Sequence, residues 1–121
     1  MNKKHVIFFL IVISLISLGF KLQTVDFTVL PVEDTYGYVL RGMAHNNGDF
    51  TEHPRKTLGW SIFISPFFHM TDSNNFLDYV NIARVLGLVV SIIAIIPMYL
   101  LSRKFFDAKY SICAAGLFAF E

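Results

Sequence analysis

Residues 31–60 gather four carboxylates (Glu33, Asp34, Asp49, Glu52), three cations (Arg41, Arg55, Lys56) and two histidines (His45, His53) in an otherwise apolar chain. A carboxylate within reach of a hydroxyl can take its proton as that oxygen attacks. Guanidinium groups hold phosphate through paired hydrogen bonds. An acid pair with cations nearby therefore suits a substrate that is part polar and part anionic. The apolar surroundings add a third requirement, that the substrate be part lipid.

The elements that must position these groups are mostly apolar. The chain has 121 residues, 55% of them hydrophobic, where soluble domains run at about 45–50% even with glycine counted. The excess is clustered in His5–Phe20, Val80–Leu101 and Tyr110–Phe120. Long charge-poor runs of this kind are membrane-span candidates. The expected class is thus an integral membrane protein: all-α, with polytopic transmembrane helices and an extracytoplasmic first loop that carries two interfacial amphipathic helices. A net charge of +1 lacks the basic face of an electrostatic nucleic-acid binder. The single cysteine, Cys113, excludes an intramolecular disulfide and a cysteine-rich metal site.

Along the chain, a span is predicted over 5–23, since 18 helical residues reach roughly 27 Å, close to the hydrocarbon thickness. Its basic start and Ser17-Leu18-Gly19 also fit a cleaved signal peptide, which would make the remainder a secreted domain. The external loop, 24–75, then holds two helices. The first, 34–46, starts where Asp34 or Thr35 can cap and stops at Asn46-Asn47-Gly48, glycine being free to adopt the left-handed stop. At 100° per residue, Tyr36, Val39, Leu40 and Met43 share one side, and Asp34, Tyr38, Arg41 and His45 the other. That division predicts a helix lying on the interface, apolar side toward lipid and charged side aimed into the protein. The second, 57–69, is too short to cross, carries Trp60 for the headgroup boundary and should break near Pro66. Thr71-Asp72-Ser73 forms a fresh capping cluster before a second span over 76–102, kinked by Pro97. A third apolar run begins at 110 and continues to 121.

Orientation follows from the cations. Lys3 and Lys4 precede the first span, and Arg103, Lys104 and Lys109 follow the second; cations favour the cytoplasmic side. This predicts a multi-pass cell-membrane protein with a cytoplasmic N-terminus. An 11-residue third run strands its backbone groups in lipid, so the expectation is the N-terminal part of a larger polytopic protein, with a truncated reading frame as the alternative.

Glu33-Asp34, Tyr38, Ala44–Gly48, His53-Pro54 and Leu58-Gly59-Trp60, set between two spans, resemble the N-terminal part of GT-C-type integral-membrane glycosyltransferases. These belong to the broad group of protein O-mannosyltransferases and lipid A aminoarabinose transferases. The acid pair stands here as Glu-Asp, where that group often has Asp-Glu. The resemblance implies transfer of a sugar from a polyprenyl-phosphate donor to a hydroxyl on a protein, glycan or lipid acceptor, outside the cytoplasm and with inversion. It makes Asp34 the base candidate, with Glu33 its neighbour or alternate, and makes Tyr38, Arg41, His53 and Arg55 candidates for sugar or phosphate contact. Some members of the wider superfamily pair such an acid with a divalent metal; the ligands here do not specify one. Two spans and a loop do not enclose a lipid-linked sugar, so activity requires further chain or a partner subunit.

Each residue also has a structural reading. Asp34 can be a helix cap, and Glu33 can complement the positive helix end. Arg41 and His45 can be the wet side of an interfacial helix, and His53-Pro54 a turn. His45 and His53 do not fit zinc-ligand spacing. Arg84 reads as a snorkelling cation or a phosphate contact, Trp60 and Phe67-Phe68 as interface anchors, and Cys113 as packing or lipid-facing. The competing class is a non-catalytic membrane protein, an accessory or transporter fragment whose external loop binds a partner.

Overall fold

The computed structural model describes residues 1–30, 33–50, 59–72 and 74–121, without the side chains at 33–35. Six α-helices and one 3₁₀ helix, with no strand, make up the described residues: α1 (Lys3–Thr24), α2 (Glu33–Asn46), α3 (Gly59–Ile64), the 3₁₀ helix Ser65–Met70, α4 (Phe76–Ile93), α5 (Ile95–Ser102) and α6 (Ala108–Ala119). Two stretches, Lys3–Thr24 and Phe76–Ser102, are long and apolar enough to cross a membrane. The second is α4 and α5 in succession, interrupted at Ala94. Pro97 explains the interruption. It has no N–H for the Ile93 carbonyl, and its ring crowds that same carbonyl. The ladder continues on either side, from Ala94 N to Val90 O (2.9 Å) and from Met98 N to Ala94 O (3.2 Å). The cap of α4 is Asn75, whose Oδ1 accepts from Leu77 N at 3.1 Å; the Thr71–Ser73 cluster lies further upstream.

The chain folds as two compact units, Met1–Val25 with Gly87–Glu121, and Asp26–Leu86. In the first unit, α6 packs against α1 and α5. Ser111, Ala115 and Ala119 recur every fourth residue, and all three are fully buried. Such a small-residue stripe lets helix backbones approach closely, which drives association where hydrocarbon surrounds every helix equally. Ser17 Oγ, itself buried, donates to the Ala119 carbonyl at 2.6 Å. Val6, Ile95 and Tyr99 complete this core. Lys21 Nζ, in the last turn of α1, donates to Ser91 Oγ at 3.1 Å. Cys113 is exposed.

In the second unit, α2 lies across α3 and the 3₁₀ helix. Val39, Ile64, Phe68, Val80 and Ala83 form its core. Fully burying side chains the size of Ile64 and Phe68 contributes about 1.5–3 kcal/mol each. Gly42 is the point of closest approach: a Cβ there would meet Phe68 Cε2 at 2.8 Å and Ile64 Cγ1 at 3.0 Å. Pro66 stands in the first turn of the 3₁₀ helix, where its missing N–H ends the α-helical ladder of α3. Val39, expected against lipid, is fully buried in protein. Tyr36 and Leu40 stay exposed.

Candidate functional site

α2 begins at Glu33, so Asp34 and Thr35 have helical backbone and lie in the first turn rather than at the cap. Tyr38 and Arg41 follow one and two turns later, both half-buried. By register, Asp34, Tyr38 and Arg41 fall along one stripe of α2. His53 and Arg55, the other two candidates, lie outside the described residues.

The fourth member of that stripe is enclosed by protein. His45, for which the wet side of an interfacial helix was one reading, is only 5% exposed. The cause is the way α2 ends. Gly48 takes φ +81°, and the chain closes a Schellman motif: Gly48 N donates to His45 O at 3.0 Å and Asp49 N to Ala44 O at 2.9 Å. The reversed chain folds back over the histidine. His45 Nδ1 lies 3.1 Å from the Asp49 carbonyl, and the Phe50 ring stacks on the imidazole at 4.9 Å between centroids. Nε2 lies 3.4 Å from Ser61 Oγ on α3. A carbonyl only accepts, so the neutral ring carries its proton on Nδ1 and Nε2 accepts from the serine. Ser61 is fully buried. The serine–histidine pair therefore has no access for a substrate; it ties α2 to α3. Asn46, the next residue, holds a buried Oδ1 with no partner among the described residues.

Together, the Gly42 contact and the His45–Ser61 pair fix the second half of α2 on α3 and the 3₁₀ helix. The sequence reading did not anticipate either. Glycine within a helical pattern is the available signal for the first; nothing local marks Ser61 as a partner for His45.

Two further polar groups belong to this unit. Arg84 donates from Nη2 to the Val29 carbonyl at 2.6 Å and from Nη1 to Asn81 Oδ1 at 3.3 Å. Its head is thus bound to protein acceptors, which holds the 26–30 turn against α4. Asp26 Oδ1 accepts from Thr28 Oγ1 at 2.6 Å and from Thr28 N at 2.8 Å. Those bonds, the side-chain one foremost, hold the Asp26 carboxyl below its ordinary value, and Arg84 adds a smaller pull in the same direction. An open groove of about 600 Å³ runs between the 3₁₀ helix and α4, with Phe67, Met70, Ile82, Val85 and Leu86 as apolar lining and Thr71, Asp78 and Asn81 as polar lining. None of the candidate site residues lines it.

Among the described residues, no three His, Cys, Asp or Glu side chains come together to hold a metal ion. Comparison with protein-family models, with curated proteins and with solved structures finds no match for this chain.

Proposed function

We propose that this chain carries the acid-bearing segment of a membrane glycosyltransferase that moves a sugar from a polyprenyl phosphate to a hydroxyl acceptor outside the cytoplasm. The observation that carries the reading is the position of Glu33-Asp34. The pair opens α2 nine residues after the first apolar helix ends, on an element whose far half is locked by Gly42 and His45. Groups on a rigid element hold a productive geometry better than groups on a loop. The resemblance of Glu33-Asp34, Tyr38, His53-Pro54 and Leu58-Gly59-Trp60 to the GT-C pattern supplies the reaction class.

In this mechanism Asp34 takes the acceptor hydroxyl proton. The freed oxygen forms a bond to the anomeric carbon on the face opposite the phosphate, and the carbon–oxygen bond to the phosphate breaks. Its electron pair leaves with the polyprenyl phosphate. Arg41 and Arg55 offset the charge that develops there. The apolar groove beside α4 suits the prenyl chain. The two long apolar helices cross the membrane, with Lys3 and Lys4 at one cytoplasmic end and Arg103, Lys104 and Lys109 at the other, and segment 24–75 lies on the outer side.

The test is Asp34→Asn, with Glu33→Gln in parallel, assayed for sugar transfer in native membranes. Loss of a general base lowers the rate by roughly 10²–10⁴-fold, with expression and membrane insertion unchanged. Transfer at the wild-type rate in both variants would remove the mechanism. A second reading, a non-catalytic membrane protein whose external segment binds a partner, is favoured by His45 and Arg84, two ionisable groups bonded to the protein's own acceptors. On that reading, both variants leave sugar transfer untouched.

A further inference from the structure

The turn between α5 and α6 has an uncommon surface. Phe105 is 74% exposed and Phe106 58%, and Tyr110 also faces outward. Arg103, Lys104 and a single acid, Asp107, all exposed, share an open hollow with both rings and Tyr110, while Lys109, also exposed, lines a separate hollow with Met1, Phe9 and Ile112. The backbone that carries the rings is hydrogen-bonded. Phe105 N and Phe106 N donate to Ser102 O at 3.1 and 2.9 Å, and Lys104 N to Leu101 O at 3.1 Å. Arg103 Nη1 donates to the Phe106 carbonyl at 2.9 Å. The backbone of the turn is therefore fixed, with both rings exposed on it. Two neighbouring aromatic rings held in water are unfavourable unless something apolar covers them.

The charges indicate what covers them. Arg103 and Lys104 follow the C-terminal end of α5, where cations are stabilised, but Lys109 sits in the first turn of α6, where the helix dipole disfavours a cation. Asp107, the N-cap of α6, makes no side-chain capping bond, so first-turn N–H groups of α6 point toward the same cluster. An anion among these groups would satisfy the N–H donors and offset the repulsion at Lys109. A partner with a hydrocarbon body and an anionic head matches both halves of the surface.

We propose that the turn 103–110 binds the headgroup of an anionic phospholipid. Arg103 and Lys104 hold the phosphate, Lys109 adds attraction at longer range, and Phe105 and Phe106 enter the boundary between headgroups and acyl chains. This rests on the reading of Lys3–Thr24 and Phe76–Ser102 as membrane spans, and it adds a lipid preference that spans alone do not require. A polybasic turn beside a span gains roughly fivefold in binding to an anionic leaflet for each cation near the surface.

The experiment uses the full chain carrying Trp60→Phe, so that an added tryptophan reports alone. Phe105→Trp is reconstituted in phosphatidylcholine vesicles containing either brominated phosphatidylglycerol or brominated phosphatidylcholine. The expected result is quenching with an apparent association constant at least about fivefold higher for phosphatidylglycerol, a preference abolished by R103Q/K104Q/K109Q. Equal quenching by the two lipids, or a preference that survives the triple substitution, overturns the proposal. A parallel Leu15→Trp chain, at an exposed position in the middle of α1, separates the two levels. If L15W is quenched by both lipids and F105W by neither, the lipid-binding turn is wrong while the spans stand. If neither position is quenched, both readings fall.

Discussion

Gly42→Ala is a one-carbon perturbation with two opposed effects. Alanine is the better helix former by about 0.8–1 kcal/mol, so helix propensity alone predicts stabilisation. The packing predicts the reverse. The new methyl would sit 2.8 Å from Phe68 Cε2 and 3.0 Å from Ile64 Cγ1, where carbon atoms prefer about 3.5–4.0 Å. The Phe68 ring has little room to retreat: it is 1% exposed and stands edge-on to Tyr79 at 5.2 Å. Ile64 is fully buried. Overpacking of this kind costs about 1–3 kcal/mol, so the net loss is about 0–2 kcal/mol. Gly19→Ala is the reference, because nothing lies within 4 Å of a Cβ there. The propensity terms of the two substitutions are similar, and the difference between them isolates the contact, about 1–3 kcal/mol. Thermal unfolding in detergent, followed by circular dichroism and by the single tryptophan, Trp60, which packs against this core, reads it out. At about 4 °C per kcal/mol for a chain of this size, G42A should melt about 4–12 °C below G19A. Equal melting temperatures, or G42A the higher, would refute the close approach of α2 to the 3₁₀ helix.

Three shorter tests address other contacts. His45→Ala removes the bonds to Ser61 and Asp49 and opens a void, so a loss of about 2–3 kcal/mol is expected in the Trp60 melt; a change within about 0.5 kcal/mol would return His45 to a solvent-facing role. Ser17→Ala removes the bond to the Ala119 carbonyl and should destabilise by about 0.6 kcal/mol if the pair lies in lipid, measured by unfolding in mixed micelles; unchanged stability would remove that bond from the account. The Asp26 carboxyl is held below its ordinary value in the folded chain, so its contribution is present above the unfolded carboxylate range and fades as pH falls through the depressed value; amide exchange at Thr28 should accelerate relative to neighbouring turns only in that acid window, and should lose its pH dependence in Asp26→Asn.

The parts legible in the sequence are those set by composition and by backbone chemistry. The 5–23 and 76–102 runs are apolar because their residue content is, whatever they pack against, and helices of that length and character occur there. Pro97 predicts an interruption because a missing N–H acts locally. Gly48 predicts a stop because only its backbone conformation is at issue. Side-chain surroundings were less legible. The helical wheel placed His45 with Asp34, Tyr38 and Arg41 on the polar side, but a wheel knows nothing of the chain beyond Gly48 that folds back over the ring. Arg84 read as a snorkelling cation because its acceptor, the Val29 carbonyl, is 55 residues away in sequence. The Ser111, Ala115 and Ala119 stripe was present in the letters, but it lies among larger apolar residues, and hydropathy does not mark small residues as the ones through which helices in hydrocarbon associate. The acid pair at 33–34 was legible as a helix start, one residue earlier than the capping pattern suggested.

The account depends most on the side of the membrane at which α2 begins. Asp34→Cys in a Cys113→Ser background leaves one thiol in the chain, which can be labelled in intact cells and in inverted vesicles with a membrane-impermeant maleimide. The account predicts labelling from outside in intact cells and protection in inverted vesicles. Labelling confined to inverted vesicles would put the acid pair in the cytoplasm and contradict the proposed chemistry.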